Sequence, residues 1–68
     1  FHIADEAGLS ALVATAFMQR RKTLRNALKG KADPADLAAV GIDGGLRPEQ
    51  VSIPAYVALS NHLHGKSR

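Results

Sequence analysis

The sequence predicts an all-α fold, a small orthogonal helical domain of about four short helices. Apolar residues recur with the i, i+3, i+4 and i+7 spacing of an amphipathic helix, and no segment alternates polar and apolar residues as a strand does. Glycine and proline divide the pattern into short stretches. At 68 residues without cysteine, the chain forms at most one small domain with a thin core and no disulfide.

The first helix is predicted over about residues 6–18. Asp5 and Glu6 place negative charge where a helix N-terminus favours it. Gly8 weakens the first turn by roughly 0.5–1 kcal/mol relative to alanine. The apolar positions that follow the helical spacing are Leu9, Leu12, Val13, Ala16 and Phe17.

Beyond Gln19 the pattern fits either one long helix or two. Leu24 and Leu28 continue the apolar face, and neither proline nor glycine interrupts the chain before Gly30, which is placed to end the helix. On a helical wheel, the cations at positions 22, 25 and 29 share another face at i, i+3 and i+7. The sequence therefore predicts a row of cations beside the core.

A third helix is predicted over about residues 34–40. Asp33 followed by Pro34 is typical of an N-cap and the first helical position, and Gly41 is placed to end the helix. Residues 42–51 are predicted to form a loop or a single turn, because they contain a glycine pair and an X-Pro bond.

A last helix is predicted to begin after Ser52, which caps it, and to run to about residue 63 with Pro54 in its first turn. Packing of the helices must then supply the hydrophobic core. The predicted core residues are Leu9, Leu12, Val13, Phe17, Leu24, Leu28, Leu37, Ile42, Val51, Tyr56, Leu59 and Leu63.

Charge is distributed unevenly along the chain. Residues 20–31, here called the basic segment, contain six of the nine Lys and Arg residues and no acid, for a charge of +6. The rest of the chain has three bases against six acids, a net charge of −3. A charge block of this kind attracts polyanions such as nucleic acid or an acidic membrane surface. Its cations are Arg20, Arg21, Lys22, Arg25, Lys29 and Lys31.

From charge alone, a solvated helix face is as good an interpretation as a nucleic-acid surface. A solvated face usually interleaves acids, whereas residues 20–31 contain none, so these cations repel one another. That difference favours a functional role in which the cations contact the phosphates of a structured RNA or DNA.

Other chemistry has little support in the sequence. His62 and His64 point about 200° apart on a helix, and no cysteine or nearby carboxylate completes a metal site. No nucleophile, base and orienting group form a credible catalytic set, and Tyr56 alone is not a base-stacking surface. The apolar, uncharged run at residues 7–18 is too short to cross a bilayer. We therefore expect no catalytic residue, cofactor site, metal site or membrane span in this chain.

The run AFMQRRKTLRNALK at residues 16–29 strongly resembles a signature near the C-terminus of bacterial small-subunit ribosomal RNA adenine dimethyltransferases. Further along, Gly41-Ile42-Asp43, residues 46–52, and then Tyr56, Leu59 and Asn61 are similar to the same family in order and spacing. Together these matches cover about residues 16–61. Pro54 departs from the family, which more often has an acidic residue there.

The resemblance implies a two-domain enzyme, of which residues 1–68 are the C-terminal helical domain that contacts ribosomal RNA. S-adenosylmethionine binds a glycine-rich loop of the first domain in this family, and this chain has neither that loop nor the motif that holds the target adenine. The chain alone is therefore expected to be inactive. The residues that match the family's basic signature are Arg20, Arg21, Lys22 and, less specifically, Arg25. The family also suggests a helix break near Gln19.

The resemblance further implies a cytoplasmic protein, expected to be monomeric, whose partner is the small ribosomal subunit. Because the chain begins with Phe1 and not methionine, it is expected to be a piece of a longer protein. Two alternatives remain open. One is an autonomous helical DNA-binding module, and the other is a protein-interaction domain whose charges only solvate its surface.

Overall fold

The structure is a computed structural model that describes residues 3–66; Phe1, His2, Ser67 and Arg68 lie outside this range. The described residues form four α-helices and one short 3-10 turn, without a strand, which confirms the predicted all-α class. The elements are α1 (Glu6–Met18), α2 (Leu24–Ala27), α3 (Pro34–Ala39), the 3-10 turn (Pro48–Gln50) and α4 (Ile53–Lys66). Helix α4 is thus longer at its C-terminus than predicted. Within residues 3–66, no helix is both long and apolar enough to cross a bilayer.

The two long helices form the centre of the fold. Helix α1 packs against α4 and α2, and α3 packs against α4. Leu12 and Ala16 of α1 are buried against α4, and leucines from the shorter elements close the core. The buried cluster consists of Leu12, Ala16, Leu24, Leu28, Ala32, Leu37, Ile42, Tyr56 and Leu59.

Most of the predicted core is confirmed, but Phe17 is not part of it. Leu9, Val13, Val51 and Leu63 are half-buried and pack against the cluster. Phe17 is 43% exposed, because α1 ends one residue later and no described element lies over the outer side of its ring. The alanine before it, Ala16, is fully buried and takes the position that faces the core.

Helix α3 begins and ends as the sequence predicts. The Asp36 carboxylate accepts the backbone N–H of Asp33 at 2.9 Å. At the other end Gly41 has φ of 73°, its N–H donates to the carbonyl of Ala38, and the N–H of Ile42 donates to that of Leu37. These two hydrogen bonds form a Schellman motif, which requires the left-handed conformation that glycine adopts without strain.

The start of α4 is also as predicted. The N–H of Ala55 donates to Ser52 Oγ at 3.4 Å, and the N–H of Tyr56 donates to the Ser52 carbonyl at 3.2 Å. Pro54 lies in the first turn, where its missing N–H has no helical partner to lose. The departure from the family at this position therefore leaves the helix start intact.

The predicted helical wheel for the basic segment is wrong, because α2 contains only four residues, Leu24–Ala27. The N–H of Leu24 donates to the Leu46 carbonyl at 2.6 Å, and the N–H of Arg25 donates to the Gly44 carbonyl at 3.0 Å. In a continuous helix these groups would bond to the carbonyls of residues 20 and 21. The carbonyls of Gly44 and Leu46 accept these N–H groups instead, so the helix is interrupted between α1 and α2.

Candidate nucleic-acid interface

The six cations of the basic segment are all exposed. Within residues 3–66, none of them takes part in an ion pair. Lys66 differs, because its Nζ lies 3.1 Å from Asp36 Oδ2 and 3.5 Å from Asp33 Oδ2. Exposed cations without a carboxylate partner can bind an external anion without first breaking an internal contact.

Three of these cations lie together in the turn that follows α1. The N–H of Gln19 donates to the Ala16 carbonyl at 3.2 Å, and the N–H of Lys22 donates to the Gln19 carbonyl at 2.9 Å. These bonds fold the backbone into a closed turn that carries Arg20 and Arg21 at its tip. The turn lies at the negative end of the α1 dipole, which favours cations there.

The same turn forms one side of a shallow hollow of about 310 Å³, here called the Phe17–Lys22 hollow. Its lining combines two apolar side chains with three cations and contains no acid. Met18 is 80% exposed and the Phe17 ring is half-exposed. The lining residues are Phe17, Met18, Gln19, Arg20, Arg21 and Lys22.

Phe17 is held in place on its inner side. Its ring centroid lies 6.3 Å from that of Tyr56, with an angle of 42° between the ring planes. Tyr56 is almost fully buried, and burial raises the pKa of its phenol. The exposed phenylalanine is therefore supported by a fixed ring of the core. Sequence reasoning missed this surface, and the end of α1 at Met18 is the feature that exposes it.

The remaining cations lie on other parts of the chain. Arg25 lies on α2, and Lys29 follows its C-terminal cap. Lys31 lines a different hollow, of about 230 Å³, beside Asp5 and Gly8 of the α1 N-terminus and His64 of α4. Gly8 and Phe17 are separated by about 14 Å along a helix that rises 1.5 Å per residue. The basic segment thus presents cations at both ends of α1.

The two histidines of α4 contact different carboxylates. His62 Nε2 lies 3.0 Å from Asp36 Oδ1, and His64 Nδ1 lies 3.9 Å from Asp5 Oδ2. In the described part of the chain, no three His, Cys, Asp or Glu side chains are grouped as a metal site would require. These histidines connect helix ends instead, since the contacts join α4 to α3 and to the start of α1.

Asp36 is the most strongly perturbed of these groups. Its side chain is 6% exposed, and its pKa is lowered from 3.8 to about 2. The backbone N–H of Asp33 is the main cause, and the side chains of Lys66 and His62 add to it. The hydrogen bond to Asp36 in turn raises the pKa of Lys66. This cluster links α3 to the end of α4, on residues other than those of the basic segment.

Comparison with known proteins gives consistent matches, although no protein-family model matches the chain. A ribosomal RNA small subunit methyltransferase A from Chromobacterium violaceum is 64% identical over 62 residues, which is 91% of this chain and 24% of that protein. This segment belongs to the ribosomal RNA small subunit methyltransferase A family. Methyltransferase A from Laribacter hongkongensis is 58% identical over 64 residues, 94% of the chain and 24% of that protein.

A third relative, methyltransferase A from Aromatoleum aromaticum, is 54% identical over 63 residues, or 93% of the chain. The chain spans about a quarter of the length of these relatives, each matched over 24% of its own length. Their name states that they methylate ribosomal RNA of the small subunit. The methyltransferase A family thus agrees with the family that the signature at residues 16–29 resembles.

Several residues that carry this resemblance have clear structural roles. Gly41 ends α3, Tyr56 donates a hydrogen bond to the Pro48 carbonyl, and Asn61 Oδ1 accepts the N–H of Ala4 at 2.9 Å. The cations of the turn after α1 have no such role within the described residues, where neither a hydrogen bond nor an ion pair engages their side chains. Their side chains are therefore available to contact a partner.

Proposed function

We propose that this chain is the C-terminal helical domain of an S-adenosylmethionine-dependent 16S ribosomal RNA adenine-N6,N6-dimethyltransferase, and that it positions the enzyme on the small ribosomal subunit. The observation that supports this role is the cluster of exposed cations Arg20, Arg21 and Lys22 in a closed turn, where they form no ion pair with any other residue of the range 3–66. Arginine and lysine at such a site contact phosphate oxygens and orient the partner without identifying its bases.

On this proposal, the chain itself carries no catalytic residue and binds no cofactor. S-adenosylmethionine and the target adenine are held by another domain of the complete protein, and the chain alone does not methylate RNA. The complete enzyme acts as a monomer in the cytoplasm, where ribosomal subunits are its substrate. Arg25 and Lys29, together with Lys31 near the other end of α1, provide further positive surface.

The test uses the complete enzyme and its affinity for purified small ribosomal subunits. Charge reversal at all three positions, R20E/R21E/K22E, removes the central cluster and is expected to abolish tight binding. The affinity for S-adenosylmethionine, measured by calorimetry, is expected to stay unchanged because the cofactor is bound elsewhere. Unchanged subunit affinity in the triple variant would refute the assignment.

A matched control separates a local contact from the general effect of charge. Arg47 is exposed and lies outside the basic segment, so R47E changes the net charge by the same amount as R21E. The proposal expects R21E to weaken subunit binding far more than R47E. Equal weakening by both variants would indicate only long-range attraction between the protein and RNA.

Binding as a function of salt distinguishes the proposal from its alternatives. If four to six cations each neutralise a phosphate, log K falls with log salt with a slope of about −3 to −5. A slope near zero would favour a protein-interaction domain. A DNA-binding module that reads the major groove would prefer duplex DNA to small subunits in competition, whereas the proposed domain prefers the subunit.

A further inference from the structure

The Phe17–Lys22 hollow offers both apolar and positively charged surface, and one kind of ligand matches both. Met18 is 80% exposed and Phe17 43% exposed, so the hollow offers apolar surface to solvent. The three cations beside them are unpaired within residues 3–66. If the cations only solvated the surface, the exposed apolar side chains beside them would have no function. If the hollow were only an apolar contact surface, the cations at its edge would have none.

A nucleotide fits both characters, because it joins a flat apolar base to a charged phosphate. Every base has a π face that stacks on an aromatic ring, and an unpaired base in folded RNA exposes that face. At about 310 Å³, the hollow is at the small end of the range for ligand sites, about 300–1,000 Å³, which suits a single base better than an extended ligand.

The hollow is also held in shape before any ligand arrives. Phe17 lies against Tyr56, whose hydroxyl donates to the Pro48 carbonyl at 2.7 Å. The backbone bond from Lys22 to Gln19 closes the turn that carries the cations. A stacking surface that is already ordered loses little conformational entropy when a base binds.

We propose that the Phe17–Lys22 hollow receives an unpaired nucleobase of the small-subunit RNA, stacked on Phe17 and in contact with Met18. Arg20, Arg21 and Lys22 contact the phosphates on either side of that base. The inference rests on the proposed function and adds a second, apolar component to the positioning contact. The phosphates of the RNA supply the negative charge that compensates the three cations when they leave water.

The experiment uses the complete enzyme and small ribosomal subunits, with binding measured at several salt concentrations. F17L removes the ring and keeps an apolar side chain, while F17Y keeps a ring. Stacking is independent of counterion release, so F17L is expected to weaken binding about 5-fold or more at every salt concentration without changing the slope. F17Y is expected to bind like the wild type. R21Q, by contrast, is expected to make the slope shallower by about 0.7–0.9.

Because Phe17 also contacts Tyr56, F17L changes the core as well as the stacking surface. A second variant therefore tests the hollow without touching the core. Met18 is almost fully exposed, so M18A leaves the fold intact and is expected to weaken binding several-fold at constant slope. Ile53 is 60% exposed but does not line the hollow, so I53A serves as the control and is expected to bind normally. The thermal midpoint of each variant is measured alongside.

The outcomes separate this inference from the proposed function. If F17L and M18A bind subunits like the wild type while R20E/R21E/K22E does not, the nucleobase contact is wrong and the phosphate contact stands. If F17L and M18A instead lower the thermal midpoint or the affinity for S-adenosylmethionine at unchanged subunit affinity, another part of the protein covers the hollow and the inference fails. If the charge reversals also have no effect, both proposals fail.

Discussion

The Tyr56 hydroxyl donates a 2.7 Å hydrogen bond to the carbonyl of Pro48. This bond joins the first turn of α4 to the 3-10 turn that precedes it. Tyr56 is 1% exposed, so both the hydroxyl and the carbonyl are shielded from water and depend on each other. The hydroxyl of Tyr56 therefore has a structural function, which requires neither catalysis nor base stacking.

Replacing Tyr56 with phenylalanine keeps the ring and removes only the hydroxyl. We expect Tyr56→Phe to reduce the free energy of unfolding of the chain by about 1–2 kcal/mol, because the Pro48 carbonyl loses its partner. For a domain of this size, each kcal/mol corresponds to roughly 4–8 °C in the thermal midpoint. Circular dichroism during heating measures the shift. A midpoint equal to that of the wild type would show that the bond contributes nothing to stability.

The helix ends that depend on local chemistry could be predicted from the sequence. Ser52 and Asp36 accept backbone N–H groups through their side chains, and Gly41 acts through its backbone conformation, so the residue type alone indicates the boundary. The break between α1 and α2 has no such local signal. It depends on hydrogen bonds to Gly44 and Leu46, which lie about 20 residues further along the chain and which no helical period reveals.

In the candidate site, too, one part could be predicted from the sequence and another part could not. The charge of Arg20, Arg21 and Lys22, and the lack of acids around them, is read directly from the sequence. The exposure of Phe17 cannot be read from the sequence, because the periodic pattern assigns Phe17 to the same helix face as Leu9 and Leu12. Phe17 lies in the last turn of α1, and only the packing in three dimensions shows that its ring is 43% exposed.

The same substitution at two glycines is expected to have opposite effects. Gly41 has φ of 73° with open space around its Cα, so Gly41→Ala is strained only through the backbone and should destabilise the chain by about 1 kcal/mol. Gly65 also has open space but lies within α4, so Gly65→Ala should stabilise the chain by about 0.5 kcal/mol. Urea unfolding of both variants provides the comparison. Effects of the same sign would contradict the assigned conformations.

The Asp36 cluster predicts how stability responds to acid. The pKa of Asp36 falls from 3.8 to about 2 on folding, so its carboxylate favours the folded state above pH 4. This contribution is lost as the pH falls from about 4 to 2, because the carboxyl group is protonated first in the unfolded state and then in the folded state as well. We expect Asp36→Asn to destabilise the chain at pH 6 and to differ less from the wild type at pH 2.

Glu49 provides the control for that acid dependence. It is an exposed acid of the 3-10 turn, so Glu49→Gln should leave the acid unfolding profile nearly unchanged. Unfolding followed by circular dichroism from pH 6 to pH 2 covers the whole range. A difference between wild type and Asp36→Asn that stays constant across this range would show that the carboxylate charge is not what stabilises the contact.

Neutralising single cations of the complete enzyme should reveal how far its RNA-binding surface extends. Arg21 lies in the turn after α1 with no acid among its neighbours in the hollow, whereas Lys31 lines a hollow that it shares with Asp5. A nearby carboxylate lowers the positive potential that attracts a phosphate. We therefore expect Arg21→Gln to make the salt slope of subunit binding shallower by about 0.7–0.9 and Lys31→Gln to change it less. If Lys31→Gln changed the slope as much as Arg21→Gln, the phosphate contacts would extend along the whole length of α1, and the turn would be only one part of the interface.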